Sequence, residues 1–307
     1  MNDEYSFTRY LASKKSVDDR ALNGYVWKQL IQSLPEQTPE KHLRVLEIGS
    51  GIGTMIERLI SWEAIRFADY TAIDNQTENI THTIASLPVW ASQNGYQISI
   101  RDKNHLLFQG ANLKISLSLE AVDLFDFILR EHSRQKWDLI VAHAFLDLVN
   151  IPETLPKIFD LLDKEGLFYF TINYDGLTLF EPEIDPDFDQ QIQRLYNHTM
   201  DQRIVAGKPS GDSETGRHLF NQLRDAGAQL LAAGASDWVV YPGANGYHKD
   251  EAFFLHFIIN TMKLALKDDP NLNGLQFDDW IAERHAQIEQ NKLVYIAHQM
   301  DFLGKLK

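Results

Sequence analysis

The chain contains no cysteine. That removes disulfides, thiolate metal sites and a cysteine nucleophile in one step. It also fits a reducing, cytoplasmic setting. Positive charge is scarce: 29 Lys and Arg stand against 43 Asp and Glu, for a formal net charge of −14. So acidic a surface repels phosphate backbones and anionic lipid, which argues against nucleic acid or a membrane face as partner. Long apolar runs are missing too. The greasiest stretch, AFFLHFIINTMKLAL at 252–266, is too short to span a bilayer and is interrupted by His256, Asn260 and Lys263. It reads as a mostly buried helix. The N-terminal MNDEYSFTRY has no apolar segment of the signal-peptide kind. No internal repeat is visible, and nothing specifies an oligomeric state.

What is present is enough for a large core. With 307 residues, 44% of them hydrophobic, the chain suits one large domain or a domain with a substantial insertion. Residues 16–33 predict a helix with Ser16 as N-cap, within a helical arm over 1–40. Short apolar runs at 44–48 (RVLEI), 70–74 (YTAID), 112–118 and 137–143 (WDLIVAH) read as buried strands. Helical patterns lie between them, and DKN suggests a hairpin turn between strands at 96–101 and 105–108. Further strands are expected at 166–173, 235–241 and 292–300. This alternation predicts an α/β fold: a doubly wound, mostly parallel, seven-stranded Rossmann-like sheet over 41–307. Two excursions, about 175–212 and 242–292, break the rhythm. If the preceding strands run parallel to 44–48, both leave from the carboxyl edge, where ligands of open α/β sheets sit. They are therefore expected to form helical lid insertions.

The most informative stretch is VLEIGSGIGT, 45–54. Three glycines alternate with other residues between a strand and a helix. Glycine tolerates positive φ and lets a ligand approach the backbone, and a helix N-terminus offers free N–H groups. The dinucleotide fingerprint G-x-G-x-x-G is not matched, because the third glycine comes one residue early and Thr54 takes its place. A second acid, Asp74, ends the next strand 21 residues after Gly53. An acid there accepts ribose hydroxyls, and it also suits the N-cap of a following helix.

The pattern Glu47-x-Gly49-x-Gly51-x-Gly53 resembles motif I of the class I S-adenosylmethionine-dependent methyltransferases. The resemblance covers about 40–175 by motif and continues to 241 by alternation. It implies S-adenosyl-L-methionine as cofactor, with S-adenosyl-L-homocysteine as product. It places that cofactor against Glu47, Gly49, Ser50, Gly51, Gly53, Asp74 and Asn75. Glu120 and Ala121 fall near the adenine, and His143 and Ala144 line the loop after the fourth parallel strand. Arg20 and Lys15 of the arm are candidates for the cofactor carboxylate, or ordinary surface charges of a helix. The hairpin at 96–108 departs from the shortest versions of the fold.

Catalytic residues are not specified, because methyl transfer needs alignment and exclusion of water more than side-chain chemistry. His143 and Tyr174 are the candidate positions for contact with the acceptor. A His ending an apolar strand is more often a structural residue than a base. Arg217, behind Ser213 and Thr215 at a helix start, together with Tyr241 and His248, completes the expected acceptor side. The function expected is methyl transfer to a small molecule, since large insertions suit an enclosed acceptor. Two alternatives stay open: a non-catalytic S-adenosylmethionine-binding module, and an NAD(P)-dependent oxidoreductase. No Tyr-x-x-x-Lys pair supports the latter, and no Asn/Asp-Pro-Pro-aromatic motif supports a nucleic-acid methyltransferase. No metal site is expected. EPEIDPDFD at 181–189 lacks the glycine and distal glutamate of a calcium loop, and His248 and His256 have no third ligand.

Overall fold

A computed structural model describes residues 6–205 and 207–306. The first five residues of the N-terminal stretch read above lie outside them. Two helices open the fold, α1 (Phe7–Ala21) and α2 (Gly24–Ser33), where the sequence predicts one starting at Ser16. The reason lies at Asn23. Its Oδ1 accepts the N–H groups of Tyr25 and Val26, at 3.0 and 3.1 Å, and so caps α2. Ser16 is instead buried inside α1, where its hydroxyl donates to Glu251 at 2.6 Å.

The α/β alternation follows. It runs β1 (Leu43–Ile48), α3 (Thr54–Ser61), β2 (Phe67–Asp74) and α4 (Thr77–Gln93). A hairpin of β3 (Gln97–Ile100) and β4 (His105–Gly110) leads into β5 (Leu113–Ala121), and α5 (Leu124–Glu131), β6 (Trp137–His143), α6 (Ile151–Phe159) and β7 (Leu162–Glu181) continue. After β7 come α7 (Pro186–Asp201), a minimal hairpin of β8 (Ile204–Val205) and β9 (Lys208–Pro209), then α8 (Thr215–Asp225). The chain closes with β10 (Ala228–Ala235), β11 (Trp238–Val240), α9 (Glu251–Leu266), α10 (Gly274–Glu289) and β12 (Val294–Leu306).

The sheet order is β10-β12-β7-β6-β1-β2-β5-β4-β3, with β11 also paired to β12. Strands β5, β2, β1, β6 and β7 are parallel to their neighbours in that series, while β12 is antiparallel to both β7 and β10. The described sheet thus has ten strands rather than the expected seven. The hairpin β3–β4, expected from the sequence, adds two strands at one edge. The strand expected at 235–241 is the short β11, and the third additional strand is β10. AQLLAAGA is made of small residues with weak strand preference, and pairing with β12 overrides it. Helices cover both faces. One core joins Val26, Ile56 and Tyr70 with Phe254 and Trp280; the other joins Phe127, Trp137, Phe168 and Phe302.

Two features shape the carboxyl edge. First, β7 and β12 continue as an antiparallel ribbon past His143, the last residue of β6, to the pair Val294–Glu181. Helices α7, α9 and α10 gather on this ribbon and on one another, and α1 packs on α9. Second, β7 bends at Ile172, whose φ of +56° is unfavourable for a β-branched residue. Asp301, at a bulge in β12, holds the bend. Its Oδ1 accepts the Ile172 N–H and its Oδ2 the Asn23 N–H, both at 2.8 Å. One buried carboxylate therefore joins the arm, the central strand and the turn before Tyr174.

The position of β12 is tightly drawn. A Cβ on Gly304 would lie 2.4 Å from the Phe168 ring and 2.5 Å from the Gln229 carbonyl oxygen. Gly304→Ala is expected to destabilise the protein by about 1–3 kcal/mol, the range for overpacking, read as a lower urea midpoint with an unchanged slope.

Candidate cofactor site

The glycine turn joins β1 to α3. Gly49, Gly51 and Gly53 have φ of +68°, +53° and +80°, so all three stand where side chains are strained. At Gly49 space is also limiting, because a Cβ would meet the Phe145 ring at 2.6 Å. The turn is stitched to the end of β2. Ser50 N–H donates to the Ile73 carbonyl at 2.9 Å, and Gly51 N–H donates to Asp74 Oδ2 at 2.8 Å. Asp74 Oδ1 accepts from the Gln76 N–H at 2.8 Å and from the Asn79 amide at 3.1 Å. A carboxylate has about four acceptor positions, so Asp74 can order the turn and still take a ribose hydroxyl. The Ser50 hydroxyl is buried without a partner among the described residues, as a group reserved for a ligand would be.

Below the turn, Glu47 is buried and accepts the Tyr70 hydroxyl at 2.7 Å. Burial pushes its carboxyl up to about 8, against the lowering pull of Tyr70 and Arg58. Above the turn lies α1, with the Leu11 side chain 3.4 Å from where a Gly51 Cβ would stand. Asp18 of α1 reaches inward and is 1% exposed. Its carboxylate receives Lys14 Nζ at 2.7 Å, His143 Nε2 at 3.0 Å and Trp238 Nε1 at 2.9 Å, with Arg58 at 3.5 Å. Burial alone would raise this carboxyl; Lys14, His143 and Arg58 outweigh it and hold it below the usual range. Arg58 is itself fully buried and also donates to Asp19 at 2.6 Å.

His143 is pressed the other way. Burial lowers its pKa to about 4, with Lys14 and Arg58 adding to the effect and Asp18 opposing it. It is therefore neutral near pH 7. A carboxylate only accepts, so Nε2 carries the proton toward Asp18. Nδ1 is left to accept from the Thr171 hydroxyl at 2.8 Å. Both ring nitrogens are engaged, and abstracting a proton from an acceptor would require one of these bonds to break.

The remaining sequence-predicted residues divide into two sets. Glu120 and Ala121 end β5 in register with Ile73 and Asp74, beside Asn75, and Glu120 pairs with Arg130 at 2.8 Å. Ala144 follows β6 at φ +51°. These stand with the glycine turn at one carboxyl edge. Arg20 turns to Glu251 of α9, at 2.5 and 3.0 Å, and Lys15 to Asp19 and Glu57. Arg217 bonds the Asp175 carboxylate at 2.9 Å and is also drawn by Glu214. Tyr174 is buried, with its hydroxyl donating to Asn197 at 2.9 Å. Tyr241 is 57% exposed, and His248 lies in the turn before α9. Sequence reasoning missed Lys14, Asp18 and Arg58. The four-residue spacing of Lys14 and Asp18 is that of a surface ion pair, which concealed an inward-facing one.

Strand order, glycine turn and paired acids define a Rossmann-like protein built for a nucleoside cofactor. More particularly, the chain belongs to the methyltransferase-domain family, whose model matches residues 19–233, and so to the class I S-adenosylmethionine-dependent methyltransferases. The cofactor that goes with this family is S-adenosylmethionine. The chain is similar to the cyclopropane synthase MmaA2 of Mycobacterium tuberculosis, at 9% identity over 99% of each chain with a TM-score of 0.45. It is also similar to YjhP of E. coli, at 12% identity over 97% of this chain and 99% of that one, again with a TM-score of 0.45. No curated protein matches it.

The buried acids set the pH dependence of the ligand-free protein. Asp18, held low, stabilises the fold above its unfolded pKa of 3.8, and that contribution is lost as the solution becomes more acidic. Glu47, held high, acts oppositely. Between 4.5 and about 8 the unfolded chain gives up its proton first, so stability falls as pH rises. Glu47→Gln is expected to flatten that alkaline decline by an amount on the order of a few kcal/mol, measured by urea unfolding at pH 5, 7 and 8.5. An unchanged slope would mean that Glu47 is ionised in the folded protein.

Proposed function

We propose that this chain transfers the methyl group of S-adenosylmethionine to an enclosed small-molecule acceptor in the cytoplasm. The observation that carries the reading is the turn at 49–53: three left-handed glycines, pinned through Gly51 to an acid at the end of β2. S-adenosylmethionine supplies a methyl group activated by a positively charged sulfur. The chain's own task is to hold, align and dry the reacting groups. In this reading the glycine backbone takes the sugar and methionine part, and Asp74 takes the ribose. Ser50 and Asn75 lie beside it. Glu120 and Ala121 take the adenine side, while His143 and Ala144 form the floor.

The arm over 1–40 and the insertions at 175–212 and 242–292 act as the lid. Helix α1 covers the turn and is latched to α9 by Ser16, Arg20 and Glu251. Entry of the cofactor therefore needs α1 to lift, and its return excludes water. Lys14 and Arg58 are the cations that meet Asp18 beneath α1, and both would compensate a cofactor carboxylate if Asp18 shared them. No described helix is long and apolar enough to cross a membrane.

Calorimetric titration with S-adenosylmethionine, S-adenosylhomocysteine and NAD tests the reading. The first two are expected to bind, and Asp74→Ala to weaken both by about 10- to 100-fold, the worth of charge-assisted hydrogen bonds. Binding of NAD alone would overturn the assignment. Tight binding without S-adenosylhomocysteine release, across a panel of small nucleophiles, would favour the non-catalytic module.

A further inference from the structure

The ribbon made by the upper halves of β7 and β12, with β11 beside it, has two unlike faces. The inner face is covered by helices. Phe180 packs on Trp280 of α10 at 5.7 Å between ring centres, and Trp238 and Tyr295 pack on Phe254 of α9 at 5.3 and 6.0 Å. Alternation along a strand sends the residues between these to the opposite side. There the register lines up three apolar residues, one from each strand. Leu179 of β7 stands opposite Ile296 of β12, and Ile296 stands opposite Val239 of β11. Directly opposed side chains of this kind lie about 4.5–5.5 Å apart at Cβ. Leu177 extends the row along β7, and Tyr241 follows Val239 at the same parity. Leu177, Leu179, Val239 and Tyr241 are 39–57% exposed. Helix α8 packs lower on β7, β10 and β12 and begins beside Gly176, where the Glu214 side chain lies 3.4 Å from the place of a Gly176 Cβ. It therefore stops short of the row.

The border of this face carries charges of both signs, matched to one another. Glu214 accepts from Arg217 at 3.0 Å, and Asp237 meets His298 Nδ1 at 2.7 Å. Arg20 reaches the Val239 carbonyl at 3.4 Å and pairs with Glu251 at 3.0 Å. At the far end Glu181, opposite Val294, and Lys292 supply one charge of each sign. In a chain of net charge −14, this is a border where acids do not stand alone. Another copy of the chain is repelled by an unmatched acidic surface but can approach here. The same matching offers no basic border to nucleic acid or anionic lipid.

We propose that this face is the contact between two copies of the chain, related by a two-fold axis close to Ile296. A patch that is apolar at its centre and bordered by both signs is complementary to itself, as a two-fold contact requires. Two sheets stack through their side chains about 10 Å apart and need no open edge to do so. The outward side chains expose about 400 Å² per copy, the size of a patch that is often functional. Two copies laid together bury about 800 Å² in this centre alone, and the border brings the total past the ~1,000 Å² expected of a specific interface. The ribbon then becomes an inner layer, with its own α7, α9 and α10 on one side and the partner's ribbon on the other. The proposal stands on the fold and is independent of the methyltransferase reading.

Sedimentation velocity of the full chain, from about 1 to 100 μM, tests it. A concentration-dependent shift from monomer to dimer is expected. Leu179→Lys and Val239→Lys are each expected to weaken the dimer about tenfold or more, the worth of a buried apolar side chain. Leu129→Lys, at an 82% exposed leucine of α5 outside this face, is expected to leave it unchanged. Circular dichroism and the urea midpoint check that each variant is folded. A second measurement does not depend on the lysine variants. Because the chain has no cysteine, a Leu179→Cys or Val239→Cys variant offers a thiol only to another copy. A short bismaleimide is expected to join such copies into covalent dimers and to leave a Leu129→Cys variant monomeric. Monomers across the whole range, which would leave the face to a different partner, would overturn the proposal. So would a dimer that survives both lysine variants, or cross-linking no better at 179 and 239 than at 129.

Discussion

Asp18 is the contact on which the arrangement turns. A carboxylate taken out of water is costly unless it is paired and hydrogen-bonded. This one is met by a lysine from its own helix, an arginine from α3, a histidine from β6 and an indole from β11. Because its partners come from the sheet edge and from the helix after the glycine turn, Asp18 fixes where α1 lies. It sets the tautomer of His143 and keeps Arg58 under the turn. The helical arm thus turns two of its charges, Lys14 and Asp18, inward, while Arg9 and Arg20 pair with residues at the start of α9. An incoming carboxylate would compete for the same cations.

Much of this was legible in the sequence, for definite reasons. The glycine turn could be read because only glycine sits cheaply at positive φ, so spacing alone carried the backbone shape. The strands β1, β2 and β6 could be read because burial on both faces leaves continuous apolar runs. Strand β10 was harder to place: AQLLAAGA has little to announce a strand until β12 lies beside it. The break between α1 and α2 hid in Asn23, a residue with no local peculiarity except its place between two helical patterns. Arg20 was named for the cofactor, yet its guanidinium bonds Glu251, a residue 231 positions away. Long-range ion pairs have no periodicity, so composition and pattern do not reveal them. Asp147 reads from sequence as a surface or cap residue, yet its Oδ1 is buried without a partner among the described residues; an unpaired oxygen is a property of what surrounds it.

The bend at Ile172 links the scaffold to the chemistry. A β-branched residue held at positive φ stores strain that the surroundings must offset, and here Asp301 does so by accepting its N–H. The bend redirects β7 just before Asn173 and Tyr174, and the ribbon that follows carries the helices of the upper layer. Asp301 also receives the Asn23 N–H, so the junction of α1 and α2 is referred to the same point. Two parts of the site that are far apart in sequence are therefore positioned by one carboxylate.

The place of β12 has a consequence for how the protein comes into being. Residues 294–306 lie between β7 and β10 and bond to both, yet every strand they join is synthesised before them. Until they emerge from the ribosome, β10 has no neighbour and the extended half of β7 has an open edge. The bulge carboxylate that steadies the bend is also missing. The nascent chain can assemble its nucleotide-binding half early, since β1, β2, β5 and β6 are complete within the first 143 residues. The ribbon of β7 and β12 must wait. Closure of the sheet is then a late, long-range event of the kind that folds slowly, and the exposed edge of β7 is the segment for which a chaperone would have most use.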